Sequence, residues 1–298
     1  MPELPEVETV VRGLRSSLPG CAVAEVRFGK TDFVENFEAI ADRVPGMRIE
    51  GVRRLGKFIC IELESRSSAS AGAERSNLIV HLGMTGQLTV QHSGDSIAPH
   101  THAFFLLDDA RELRYTDIRR FGRMLLIPQS QLADFLGRLG KEPLEIGAEE
   151  FCAHIGSRRA RVKALLLDQR ILRGIGNIYA DESLFRARLH PARIGEKLTR
   201  KQLLALRAAV RSILADAIRF RGSSISDYVD SEGNRGEFQL RHRVYQRDGK
   251  PCFRCKSIIR RVIVAGRSSH YCPTCQPAPR GRSAKKRKSN PRMNADKR

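Results

Sequence analysis

Cys252-Phe253-Arg254-Cys255 and Cys272-Pro273-Thr274-Cys275 stand sixteen residues apart near the end of a 298-residue chain. Two thiolates at C-x-x-C spacing reach one ion from a tight turn, and two such turns complete a tetrahedral four-sulfur site. Between the pairs, residues 258–264 and 268–271 read as strands joined at Gly266. Residues 238–276 are therefore expected to form a zinc ribbon built on a β-hairpin. Cys252, Cys255, Cys272 and Cys275 leave no open coordination position, so the one Zn2+ ion they imply is structural and activates no water. A pair of redox dithiols is the competing reading, and two matched pairs flanking one hairpin speak against it. Cys21, Cys60 and Cys152 are scattered and read as small buried apolar residues. An odd cysteine total without an export signal argues against a disulfide framework. Arg260, Arg261 and Arg267 share the hairpin, and arginine forks suit phosphate.

Upstream of the ribbon the pattern divides near Pro143. Residues 144–220 are helical in period. A helix is expected over 160–172, a turn at 174–177, a second helix over 178–187, and a third opened by the capping pair Thr199 and Gln202. Residues 221–237 form a long Gly/Ser-rich loop, a length that usually marks function or disorder. Residues 21–130 read mostly as strands, among them 58–63, 77–82 and 103–107, in the manner of an antiparallel sandwich. Residues 65–76 look like a flexible surface insertion. Residues 5–18 read as an amphipathic helix through Val7, Val10, Val11, Leu14 and Leu18. The class is α+β, with expected units at 1–143, 144–237 and 238–276, and a basic disordered tail at 277–298.

Charge narrows the partners. The chain carries 53 Lys+Arg against 33 Asp+Glu, a net charge of +20. Residues 280–298 hold nine Lys/Arg and one Asp, so the body keeps +12. A folded body that basic faces a polyanion, most often nucleic acid, though a ribosome-associated or merely soluble basic protein fits charge alone. No run approaches the roughly 20 apolar residues of a membrane span, and the start Met1-Pro2-Glu3-Leu4-Pro5-Glu6 is no signal peptide, so a cytoplasmic protein is expected.

Pro2 becomes chemically interesting once Met1 is removed. A free α-amine has a pKa of about 7.7–8.0, so a useful fraction is unprotonated at neutral pH and can form an iminium at an electrophilic carbon. Glu3 is the neighbouring carboxyl and can donate a proton if its pKa is raised.

Five segments, in order and spanning residues 2–275, resemble the bacterial formamidopyrimidine-DNA glycosylase family: Met-Pro-Glu-Leu-Pro-Glu-Val-Glu-Thr, His81-Leu-Gly-Met84-Thr-Gly, Arg114-Tyr-Thr-Asp-Ile-Arg-Arg-Phe-Gly122, Gly174-Ile-Gly-Asn-Ile-Tyr-Ala180 and the four-cysteine ribbon. The resemblance implies an N-terminal β-sandwich with an N-terminal helix, a helix–two-turns–helix domain and a zinc-ribbon hairpin. It implies a monomer that acts on double-stranded DNA carrying damaged bases or abasic sites, at the nucleoid. The activity implied is bifunctional: a glycosylase for 8-oxoguanine and formamidopyrimidines, and a lyase working by β,δ-elimination. Pro2 would attack C1′ and Glu3 would protonate the sugar ring oxygen. Lys57, at the start of a strand, would aid catalysis and hold phosphate, and Arg267 would serve the last elimination. Met84, Arg119 and Phe121 would fill the hole left by a flipped nucleotide. His100, Arg119, Arg158 and Asn177 fall on DNA-contact positions, Asn177 with nearby backbone N–H groups on a phosphate. Loop 221–237 resembles a mobile clamp over the base.

Ile118 stands where the family usually has proline. The start Pro-Glu-Val-Glu-Thr favours the purine-specific branch over the sibling endonuclease VIII type, which removes oxidised pyrimidines. A non-catalytic zinc-ribbon lesion binder is the remaining alternative.

Overall fold

A computed structural model of the protein describes residues 1–65, 74–225 and 228–279. Helix α1 (Leu4–Ser17) comes first, then strands β1 (Val23–Phe28) and β2 (Val34–Glu35), helix α2 (Phe37–Arg43), and strands β3 (Met47–Leu55), β4 (Phe58–Ser65), β5 (Arg75–His81), β6 (Gln87–His92), β7 (Thr101–Leu107), β8 (Arg111–Thr116) and β9 (Arg123–Pro128). Helices α3 (Leu132–Gly137), α4 (Ala148–Gly156), α5 (Val162–Leu167), α6 (Asn177–Arg186) and α7 (Arg200–Arg219) follow, and the chain ends on the hairpin β10 (Arg260–Val264) and β11 (Arg267–Tyr271).

The strands form two sheets, β1-β7-β8-β6 and β2-β9-β5-β4-β3. Their inner faces share one core, with Val52, Ile59 and Ile61 from one sheet and Phe105, Leu113 and Tyr115 from the other. This is the expected sandwich, with two differences. The short β2 pairs parallel to β9, and helix α2 interrupts the run of strands between β2 and β3. A second core joins α4 to α7.

Helix α1 ties the two cores together. Leu4 packs into the helical core, while Val7, Val10, Val11 and Leu14 pack against the sandwich. Arg54 on β3 reinforces the junction, reaching Glu8 at 2.9 Å and Glu142 at 3.0 Å. Such buried charges hold only because each is paired.

Three boundaries differ from the sequence reading. The helix expected over 160–172 stops at Leu167, because Asp168 turns its carboxylate onto its own backbone, accepting from Arg170 N at 3.0 Å. Ile171 and Leu172 are still buried, but from a turn. The insertion expected at 65–76 is narrower: Ser65 ends β4, and Arg75 and Ser76 begin β5, with Ser76 buried. Its centre and most of the basic tail lie outside the described residues. The first hairpin strand starts at Arg260, and Ala265 and Gly266, both at positive φ, make the two-residue turn that suits a twisted hairpin.

Candidate active site

The Pro2-Glu3 start enters a cavity of about 460 Å3 where sandwich, helical unit and ribbon meet. Pro2, Glu3, Lys57, Met84, Asn177 and Arg267 all line it. Met1 is attached and half exposed, so the Pro2 nitrogen is an amide here and becomes an amine on loss of Met1.

Glu3 is the most constrained of these groups. Its carboxylate accepts from Gly176 N at 2.8 Å and Ile178 N at 2.9 Å, at the N-terminus of α6. Its own N–H donates to Glu6 Oε2 at 2.8 Å. Burial nevertheless pushes its pKa up, against the pull of Lys57 and the backbone donors. Gly176 makes room: a Cβ there would lie 2.3 Å from Glu3 Cδ. This arrangement corrects one expectation. The N–H groups of Gly176 and Ile178 are committed to Glu3 and are not free for phosphate. Asn177 keeps its place in the cavity wall, and its buried Oδ1 has no hydrogen-bond partner.

Lys57 sits in the two-residue turn between β3 and β4, after Gly56 at positive φ, rather than at the start of the strand. Its amine is buried, and desolvation pushes its pKa down while Glu3 and Glu6 pull it up. Arg267 opens β11 and is exposed toward the cavity. A buried network holds its strand against the helical unit. Lys163 Nζ donates to Ser268 O at 2.7 Å and pairs with Asp181 at 2.7 Å, and Asp181 also accepts from His270 N at 2.8 Å.

Met84 and Phe121 are 39% and 54% exposed, so neither is a core residue. They ride on two loops locked by the buried Asp117, which accepts from Thr85 Oγ1 and Arg119 N on one oxygen and from Tyr115 Oη and Gly122 N on the other. Arg119 lies 4.5 Å over the Phe121 ring. The Asp117 bonds shape the turn with Ile118 in place of proline, and Ile118 is simply exposed. His100 and Arg158 are exposed and outside the cavity, so the structure does not bring them to the site.

Several site residues went unread in the sequence. Glu6 accepts from Ser223 N at 2.7 Å and from the Tyr179 hydroxyl, and burial beside Glu3 lifts its pKa to about 7. Tyr228 donates to Glu6 O at 3.2 Å. Ser223, Ile225 and Tyr228 thus bring loop 221–237 to the cavity. The described part of that loop is packed: Ser231 O accepts from Val90 N at 3.2 Å, and Ser231 nests against Gly13 of α1.

The four ribbon sulfurs lie within 4.8 Å of one another. The Cys255–Cys272 and Cys275–Cys255 separations are 3.3 and 3.5 Å. Sulfurs about 2.3 Å from one zinc ion sit roughly 3.8 Å apart at the corners of a tetrahedron, so the donor set fits a single structural Zn2+. The backbone N–H groups of Arg254 and Cys275 point at Cys252 and Cys272 Sγ, supporting thiolate charge.

Models of three domains match the chain: the formamidopyrimidine-DNA glycosylase N-terminal domain over residues 1–124, the H2TH domain of the same enzymes over 139–229, and the zinc finger found in FPG and IleRS over 249–278. A formamidopyrimidine-DNA glycosylase of Solibacter usitatus is 44% identical over 278 residues, covering 93% of this chain and 99% of its own. Two Lactococcus lactis Fpg structures, one in complex with an abasic site containing DNA and one with a Fapy-dG containing DNA, superpose with TM-scores of 0.84 and 0.83. Both are 31% identical to this chain and cover 93% of it and 100% of their own chains. The chain belongs to the formamidopyrimidine-DNA glycosylase family. It is a DNA glycosylase of base excision repair with a structural zinc finger, and no helix among its described residues is long and apolar enough to cross a membrane.

Proposed function

We propose that this glycosylase removes oxidised purines, 8-oxoguanine and formamidopyrimidines, from duplex DNA and then cleaves the abasic strand. The reading rests on one observation: Pro2, Glu3, Lys57 and Arg267 line a single cavity. Freed of Met1, the Pro2 amine attacks C1′ of the extruded nucleotide and the bond from C1′ to the base breaks. Proton transfer from Glu3 to the sugar ring oxygen opens the ring and leaves an iminium between Pro2 and C1′. Lys57 and Arg267 hold the flanking phosphates and assist β- and δ-elimination, which leaves a one-nucleotide gap. Met84, Arg119 and Phe121 take the place of the extruded nucleotide. The enzyme acts as a monomer in the cytoplasm at the nucleoid.

Strand cleavage on matched duplexes tests the substrate class. Cleavage at 8-oxoguanine opposite cytosine, with much slower cleavage at thymine glycol, is the expected result. The reverse order would move the enzyme to the pyrimidine-specific sibling type, and tight binding without cleavage would make it a lesion binder.

Two further outcomes follow from the geometry. Gly176→Ala drives a Cβ into the Glu3 carboxyl, and displacement of that order should slow base release about a hundredfold in single-turnover assays. Unchanged release would detach Glu3's hydrogen bonds from its role. Affinity for undamaged duplex should fall by about 10³-fold or more between 50 and 200 mM salt, as phosphate contacts release counterions. A flat response in an equilibrium titration would contradict the phosphate contacts.

A further inference from the structure

A second cavity, of about 570 Å3, opens between the C-terminal ends of α6 and α7 and the first zinc knuckle. It shares no lining residue with the Pro2 cavity. Its wall carries Arg219, Arg241, Arg243 and Arg254. Arg186 is also there but is engaged by Asp216 at 3.1 Å. None of the other four has a carboxylate within 4.0 Å among the described residues, whereas the buried Arg54 and Arg114 are both paired.

These four guanidinium groups are held in place by aromatic rings. Arg241 lies 3.6 Å over Phe220, with Arg219 at 5.7 Å from the same ring. Arg243 lies 5.1 Å over Phe253, which Arg247 also covers at 3.6 Å, and Arg254 lies 4.7 Å over Phe185. Stacking fixes the plane of a guanidinium and leaves its edge donors free for an oxyanion fork. Phe253 in the cavity wall is 54% exposed, and Leu240, next to Arg241 in the chain, is 83% exposed.

We propose that this cavity docks an acidic peptide segment of a partner protein that also carries apolar side chains. Carboxylates take the arginine forks, and an apolar side chain covers Phe253. Charge complementarity selects an anionic partner, and the form of the surface selects peptide over nucleic acid. The cavity takes Phe185 and Arg186 from the C-terminal end of α6, a helix of ten residues and about 15 Å, while Asn177 at its other end lines the Pro2 cavity. Phe220 is covered by the Arg241 guanidinium, and Phe253, though Arg247 lies 3.6 Å over its ring, keeps exposed surface for an apolar side chain. A phosphate backbone makes no use of the exposed Phe253 ring.

The test is fluorescence polarisation with a labelled peptide of alternating Asp and Glu interrupted by two Phe, on full-length protein saturated with an abasic-analogue duplex. Saturable binding is expected, weakened about tenfold or more by the double change Arg241→Ala and Arg254→Ala, by Phe253→Ala, and by removal of Phe from the peptide. The charge-matched change Arg12→Ala and Arg200→Ala should leave it unaltered, and base release should persist in every variant, reporting an intact fold. Equal loss in both double variants would reduce the binding to net charge and overturn the proposal. So would absence of saturable binding. Displacement by oligothymidylate as effective as by unlabelled peptide would overturn it in favour of nucleic acid.

Discussion

Glu3→Gln is expected to slow base release by about 10²- to 10⁴-fold, the usual contribution of a positioned general acid, while lesion-duplex affinity changes little. The glutamine keeps the shape of the side chain and one acceptor for the α6 N-terminus, but it cannot donate an acidic proton. The pH dependence carries the sharper signature. Burial raises the Glu3 pKa, so its carboxyl stays protonated to higher pH than an exposed glutamate. Release by the unaltered enzyme should therefore fall as pH rises through that raised value, and fall again at low pH where the Pro2 amine is protonated. The variant should lose the high-pH limb and retain the low-pH one. Single-turnover release across the pH range decides this, and a variant with full rate and an unchanged profile would remove Glu3 from proton transfer.

Loss of the metal is expected to end strand cleavage altogether. Structural zinc contributes about 10–16 kcal/mol to finger peptides near neutral pH, which exceeds what a small hairpin core supplies by itself. The ribbon core is small, Val244, Ile259 and Phe185 around Cys252 and Cys272. Without the ion, or with Cys252→Ser, the hairpin that presents Arg267 should open, and Lys163 and Asp181 would lose their partners on it. Hydrogen exchange should show lost amide protection across 252–276, with protection retained in the sandwich. Full cleavage by chelated protein would contradict a structural role for the ion.

Short-range signals were legible in the sequence. The two C-x-x-C pairs, the periodicity of α1 and the Thr199–Gln202 cap each depend on residues a few positions apart, and the structure has all three. The exposure of Met84 and Phe121 goes with the close approach of their two loops, where Gly83 and Gly122 leave no room for a Cβ. What escaped were partnerships across long separations. Glu3 meets Gly176 across 173 residues, and Glu6 meets Ser223 across 217. In sequence Glu6 is one more acidic residue in a helix's first turn, and Lys163 one more lysine in an apolar run. Burial sets both apart, and burial is a property of the assembled core. The use of two α6 N-terminal donors was hidden for the same reason: a helix start is a ready anion site, and the N–H groups of Gly176 and Ile178 are taken by the protein's own Glu3.

Borohydride trapping on a duplex with one 8-oxoguanine opposite cytosine tests the central claim most directly, run beside Pro2→Gly and with the N-terminal residue established by mass. The account predicts a covalent adduct with mature protein beginning at Pro2, located to that residue and lost or much reduced in the variant. An equal yield of adduct from Pro2→Gly, or tight binding with no adduct from protein lacking Met1, would contradict it.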